Sequence, residues 1–290
     1  MSKPRVLIQL DSDRHPSSFD ALVAIDAGVE RLLPYGQVQP EEVAGLVHGA
    51  IFTRSPQDLA NTALFIGGSD VARGEALLAA VQQAFVGPLR VSVLLDANGA
   101  NTTAAAAVLA VGRHADLAGA TAVVLAGTGP VGQRVARLLA RQGAAVRLVS
   151  RSLARAEQAC QRIRQVVPQA HLEPAACSDP DAAAAVVAGA HVLVAAGAAG
   201  VPLASQTAWS TVPTLRVAID LNAVPPAGLA GIEPMDKAKQ RGNVLCYGAI
   251  GVGGTKMKIH RAAIQRLFTA NHLVLDAEEV LAIGHELGLN

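Results

Sequence analysis

Cysteine is scarce in this 290-residue chain. Cys160, Cys177 and Cys246 are odd in number and match no zinc-ligand spacing, which excludes a disulfide framework and leaves no expected metal site. A reducing, cytoplasmic setting is the expectation. Aromatic residues amount to 3%, too few for the stacking platforms that hold single-stranded nucleic acids. Charge of one sign is lacking as well: 24 Lys and Arg against 23 Asp and Glu leave +1, without the basic excess that tracks phosphate backbones. Nucleic acid is therefore not an expected partner. No stretch reaches the roughly 18 unbroken apolar residues of a membrane span. The opening MSKPRVLIQLDSD meets Asp11 and Asp13 too early for a signal h-region. What abounds is small and aliphatic: 51% of residues are hydrophobic and 16% charged, which predicts a sizeable core rather than disorder.

Short apolar runs alternate with Ala- and Leu-rich stretches, the pattern of repeated βα units around a parallel sheet. Strands are predicted at 6–10, 62–66, 90–94, 121–126, 145–149, 191–195, 217–220 and 243–246. Helices are predicted at 57–60, 70–85, 102–113, 132–142, 153–166, 180–187, 258–269 and 276–287. Asp276 followed by Glu279 reads as a capping box. The character of the chain changes near Leu117 and again near Gly248. The expected organisation is thus a two-domain α/β protein: a Rossmann-type doubly wound domain over 117–249, and a smaller α/β substrate domain from 1–116 and 250–290.

The segment Val123-Val-Leu-Ala-Gly127-Thr128-Gly129-Pro130-Val131-Gly132 places G-x-G-x-x-G directly after an apolar strand and before a helical pattern. Gly127 is expected to make the tight turn, Gly129 to admit a pyrophosphate and Gly132 to bring helix and strand together. The bare alternative is a tight βα turn without ligand. An NAD site places a carboxylate at the end of the second strand. Here that strand runs into Ser150-Arg151-Ser152 with Arg155 a turn later, groups suited to a 2′-phosphate. NADP is the expected cofactor, with NAD a weaker alternative. Downstream, Ala196 and Gly197 lie in a loop similar to the one beneath the nicotinamide ribose in two-domain dehydrogenases.

Four polar clusters follow predicted strands: Asp11 to Asp20, Gly67 to Asp70, Asp96 to Thr103, and Asp220 to Pro226. In doubly wound folds that sheet edge is the ligand crevice. Each cluster also reads as turn and capping chemistry, and Asp70 and Thr102 are equally well read as N-caps. A Gly-rich loop, Gly251 to Gly254, is expected to run into a helix bearing Lys256 and Lys258, where it would either hold an anion or serve as a hinge.

Taken together, Ser18-Phe19-Asp20, Asn98-Gly-Ala-Asn101-Thr102-Thr103, the glycine segment at 127–132, Asn222-Ala-Val-Pro-Pro226, and Gly251-Val-Gly-Gly254 with Lys256 and His260 resemble the NADP-dependent methylene-tetrahydromethanopterin dehydrogenases of bacterial one-carbon metabolism. Some of these also accept methylene-tetrahydrofolate. The resemblance spans nearly the whole chain. It implies a reduced pterin carrier as partner, a homo-oligomer (trimer or hexamer), and a ligand cleft between two domains. It also implies that Phe19 packs on the pterin's imidazolidine and that Asp13, Asp20, Asp96, Asn98, Asn101, Thr102 and Lys256 line the pterin pocket. Ser150 and Arg151 would receive the 2′-phosphate, with Asn222 on the cofactor side. The cofactor loop and Lys256 region look like an NADP-only branch, whereas Asp26-Ala-Gly28, Arg54 to Asp58 and Asn222 to Pro226 look like a dual-cofactor branch.

The implied reaction moves a hydride from the methylene carbon between two nitrogens to C4 of the nicotinamide, leaving an amidinium-like cation. No proton leaves, so no general base is required, and no catalytic triad is legible in the sequence. Phe19 and Asp20, with Lys256, are the expected catalytic residues; Asp20 or Asp96 would favour the developing cation. A lysine charge there would oppose it, so Lys256 is expected to bond a pterin carbonyl or to be neutral. Competing readings keep the fold. They are a methylene-tetrahydrofolate dehydrogenase, a shikimate-dehydrogenase-like ketone reductase, and a non-catalytic NADP sensor, which would need no second polar pocket.

Overall fold

The computed structural model describes residues 3–289. Its strands are β1 (Val6–Asp11), β2 (Arg31–Tyr35), β3 (Thr62–Gly67), β4 (Ser92–Leu95), β5 (Thr121–Leu125), β6 (Ala145–Ser150), β7 (Leu172–Ala176), β8 (Val192–Ala195), β9 (Val217–Asp220), β10 (Lys239–Arg241), β11 (Val244–Tyr247) and β12 (Val274–Leu275). The helices are α1 (Ser18–Asp26), α2 (Val43–Phe52), α3 (Val71–Ala84), α4 (Ala100–Gly112), α5 (Pro130–Arg141), α6 (Leu153–Val166), α7 (Ala184–Val187), α8 (Gln206–Ser210), α9 (Ala249–Arg266) and α10 (Ala277–Glu286). The chain is α/β with two parallel-type sheets, as the alternating pattern predicts.

The chain forms two compact units. One runs to Thr102 and resumes over Met257–Ile283; the other comprises Thr103–Lys256 and the chain from Gly284. The expected boundaries at 116/117 and 249/250 fall at the far ends of α4 and α9. The chain passes between the units within α4 and α9, and again within α10, so contacts divide each of these helices internally.

In the first unit the sheet order is β12-β4-β3-β1-β2, all parallel. Every residue of β3 and β4 is buried, because a parallel strand covered on both faces reads as a continuous apolar run. The strand order reverses between β1 and β3, so the loops after these two strands flank a switch point. In the second unit the order is β10-β11-β9-β8-β5-β6-β7, parallel except for β10 against β11. Here the switch point lies between β5 and β8. Helix α4 is buried continuously from Ala104 to Val111, and its alanines allow close packing all round.

Several expectations need correction. No strand is predicted at β2, β7, β10 or β12, and these are the four edges of the two sheets. Their sequences, RLLPY, LEPAA, KQR and VL, carry proline or charge or are very short, as edge strands permit. The polar stretch after β1 becomes helical at Ser18, where the Ser17 hydroxyl caps the Asp20 N–H at 3.2 Å. The predicted 180–187 helix shrinks to α7. Thr102 lies inside α4, while Asp70 does cap α3 by accepting the Arg73 N–H.

The Gly-rich loop before Lys256 is instead the beginning of α9, which starts at Ala249. A side chain at Gly248 or Gly251 would overlap the backbone of the 233–236 turn. This close approach lets Pro234 O accept from Ile250 and Gly251, and Asp236 O from Gly248. The amides expected to hold an anion are therefore satisfied within the protein.

Candidate functional site

In the second unit, the switch point opens into a cavity of about 400 Å³. Its wall includes Thr128 and Gly129 after β5, Ser150, Arg151, Ser152 and Arg155 after β6, and Ala196 and Gly197 after β8. Gly129 is the N-cap of α5 and Pro130 its first residue, so the positive end of the helix faces this loop. The left-handed residue of the turn is Ala126, at φ 54°, not Gly127. Gly127 is required for a different reason: a Cβ there would lie 2.7 Å from Leu148 Cγ on the neighbouring strand. Gly132 serves as expected, since its Cβ would meet Gly127 Cα at 2.8 Å and Ala126 O at 2.9 Å.

No Asp or Glu lines this cavity. Ser150 is buried, and Arg151 and Arg155 are exposed. Among the described residues neither guanidinium has a hydrogen-bond or ion-pair partner within the protein. Positive charge without internal neutralisation, at the strand end where an NAD site places a carboxylate, fits a phosphorylated ribose. Cys177, Ser178 and Pro180 also line the cavity and went unpredicted, because they follow β7, an edge strand whose Pro174 hides it from pattern reading.

Asn222 does not line that cavity. Its Nδ2 donates to Pro226 O at 3.1 Å and its Oδ1 accepts from Val224 N at 2.9 Å, bracing its own loop. Asp220 beside it is buried and accepts from the Asn222 and Leu229 N–H groups, each at 3.0 Å. Burial raises its carboxyl above the usual range, and those backbone bonds only partly counter the shift. Gly127, Pro130, Val131 and Gly132 shape the turn behind the cavity wall.

In the first unit, the clusters after β1, β3 and β4 are cross-linked. Asp11 is buried and accepts from the Asp13 and Ser17 N–H groups at 2.8 and 3.1 Å. Asp13 accepts from both the N–H and the hydroxyl of Ser69 at 2.9 Å, tying the loop after β1 to the loop after β3. Asp96 is 1% exposed; Oδ1 caps Asn101 N and Thr102 N at 3.0 Å, and Oδ2 accepts from Thr102 Oγ1 at 2.7 Å. The Asn101 amide donates to Leu95 O and to Asp276 Oδ1, at 2.5 and 2.8 Å. Asp96, Asn101 and Thr102 thus form one buried network at the start of α4.

Phe19, Asp20 and Asn98 differ from that network. Phe19 is 50% exposed in the first turn of α1, a conspicuous position for a large ring. Asp20 follows it, partly buried. Asn98 is exposed and takes a left-handed conformation, φ 55°, while its N–H donates to Gly68 O at 2.6 Å. Lys256 is half-buried on α9, one turn before His260.

Residues 18–98 match the family described as methylene-tetrahydromethanopterin dehydrogenase, N-terminal. The chain is 43% identical to the bifunctional protein MdtA of Methylorubrum extorquens, over 99% of this chain and 100% of that protein. It is 33% identical to the NAD(P)-dependent methylenetetrahydromethanopterin dehydrogenase of the same organism, over 97% of this chain and 98% of that one. Among solved structures, quinate dehydrogenase from Corynebacterium glutamicum in complex with NAD is similar at a TM-score of 0.53 and 15% identity, covering 98% of this chain and 100% of that one. This last likeness is one of fold alone.

Proposed function

This chain belongs to the methylene-tetrahydromethanopterin dehydrogenase family, and we propose that it is an oxidoreductase that takes a hydride from methylene-tetrahydromethanopterin, with NADP as acceptor, in one-carbon metabolism. The observation that carries the choice of cofactor is the pair Arg151 and Arg155, unneutralised beside Ser150 at a cavity without carboxylates. Thr128, Gly129, Ser152, Ala196 and Gly197 complete that wall, and the N-terminal end of α5 supports the pyrophosphate. NAD, lacking the 2′-phosphate, would bind more weakly. When bound, the cofactor supplies the hydride acceptor.

The chain's own residues bind, orient and exclude water. Phe19 would pack its exposed face on the pterin, and Asp20 would favour the positive charge that develops as the methylene carbon loses hydride. Asn98 and Lys256 are proposed to bond polar edges of the carrier. Asp13, Asp96, Asn101 and Thr102 would act by holding the pocket's shape. Because the product cation is stabilised by two nitrogen lone pairs, no base need take a proton. Among the described residues no helix is long and apolar enough to cross a membrane. The proposal further includes a cytoplasmic setting and a homo-oligomer, a trimer or hexamer.

The test is absorbance of reduced nicotinamide after mixing the pure protein with NADP and methylene-tetrahydromethanopterin, and separately with methylene-tetrahydrofolate. Reduction with neither carrier sinks the proposal. Phe19→Ala should lower kcat/KM about tenfold or more while NADP affinity holds; unchanged turnover would remove the clamp.

A further inference from the structure

The imidazole of His260 is wholly buried, at 0% exposure. It is the middle ring of a column running from core to surface. Phe65 on β3 stacks against it with centroids 5.7 Å apart and planes at 22°, and Phe19 covers it at 6.3 Å and 34°. Its Nε2 lies 3.9 Å from Asp20 Oδ1, too far for a hydrogen bond but within electrostatic reach. One side chain on α9 therefore contacts two successive residues of the first turn of α1. Gly67 leaves room for Phe65 and Asp20: a Cβ there would stand 3.1 Å from Asp11 Oδ2, 3.2 Å from Phe65 Cε1 and 3.7 Å from Asp20 Oδ2.

An exposed aromatic ring ordinarily keeps its rotamer freedom, and a carboxylate at a helix start can turn to solvent. A ring behind Phe19 and a nitrogen within electrostatic reach of Asp20 restrict both freedoms at once. An aliphatic residue would fill the core equally well, and phenylalanine would preserve the column. Only histidine supplies flat stacking and a polar edge together.

We infer that His260 is a positioning residue for the dehydrogenase reaction, holding the Phe19 ring and the Asp20 carboxylate in their working orientations without itself touching the carrier. This rests on the roles proposed above for Phe19 and Asp20. The inference separates two functions of one side chain, so two variants should fail differently. His260→Phe keeps the column and loses the nitrogen; kcat should fall about tenfold, with KM for the methylene carrier and Kd for NADP within about twofold. His260→Gln keeps a polar group and loses the ring; KM for the carrier should rise about fivefold or more with the smaller change in kcat. In an Asp20→Asn background, His260→Phe should cost less than about a further twofold, because its effect runs through that carboxylate.

A purely structural histidine would lower both variants alike, in step with melting temperature, and its effect would add to that of Asp20→Asn. Either result overturns the inference while leaving the activity in place. If His260→Phe does not fold, the kcat and KM of His260→Gln decide alone. A wild-type protein inactive with both carriers would instead refute the reaction, and this inference with it.

Discussion

Removing the Arg151 guanidinium should separate the two nicotinamide cofactors. A hydrogen bond to a charged group contributes about 1.5–3 kcal/mol. Arg151 is exposed, so water competes for both partners and the lower end applies. A loss of about 1.5 kcal/mol corresponds to roughly a tenfold rise in the Kd of NADP for Arg151→Ala. Arg155 stands a turn away on the same cavity wall. If the two act independently, the double Ala variant should reach about a hundredfold. NAD carries no 2′-phosphate, so its Kd should stay within about twofold in every variant. Because the interaction is electrostatic and solvent-accessible, the NADP preference should narrow as salt rises from 0.1 M, where the screening length is about 10 Å, towards 1 M, where it is about 3 Å. Calorimetric or fluorescence titration with each dinucleotide reads all of this. Equal weakening of NAD and NADP would show that Arg151 supports the loop rather than the phosphate, and no change in either would place the phosphate elsewhere.

Gly132→Ala should force the start of α5 away from the turn after β5, since the new methyl meets backbone atoms at 2.8–3.1 Å that cannot rotate aside. A cost of about 1–3 kcal/mol, a Tm lower by several degrees and weaker NADP binding are expected, and an unchanged melting curve would refute that packing. His114 donates to or accepts from Tyr247 Oη at 2.7 Å, and burial, then neighbouring Arg113, lowers its pKa. The unfolded chain therefore takes up that proton more readily than the folded one. The stability His114 contributes is present above the ordinary histidine range and is lost as pH falls through it to the lowered value. Wild-type Tm measured against His114→Gln should drop on acidification across that window; a difference that grows instead would overturn the assignment.

Tight turns explain which parts of the candidate site are legible in the sequence and which are not. Glycine at 127, 129 and 132 after an apolar strand has few other uses, and the cavity forms there. Asp96, Thr102 and Asn222 gave no such discrimination. An acid, amide or hydroxyl at a strand end has the same local chemistry whether it caps a helix, braces a loop or awaits a ligand. Only the folded chain reveals that Asp96 already accepts three hydrogen bonds and that Asn222 spans its own loop. His260 was legible as part of a motif, yet its role depends on Phe65 and Phe19, nearly two hundred positions or more away in sequence.

Strands buried over most of their length announce themselves as short, mainly apolar runs, and so β1, β3, β4, β5, β6, β8, β9 and β11 follow from the sequence alone, as do the helix that opens the dinucleotide loop and the lack of a carboxylate at the end of β6. The four edge strands do not. Half their surroundings are solvent, their composition is free to include proline and charge, and pairing with a neighbour is what makes them strands. The same division holds at the site: the sequence supplies the groups, and long-range packing decides which of them are buried within the fold and which, like Phe19 and Arg151, keep an exposed surface.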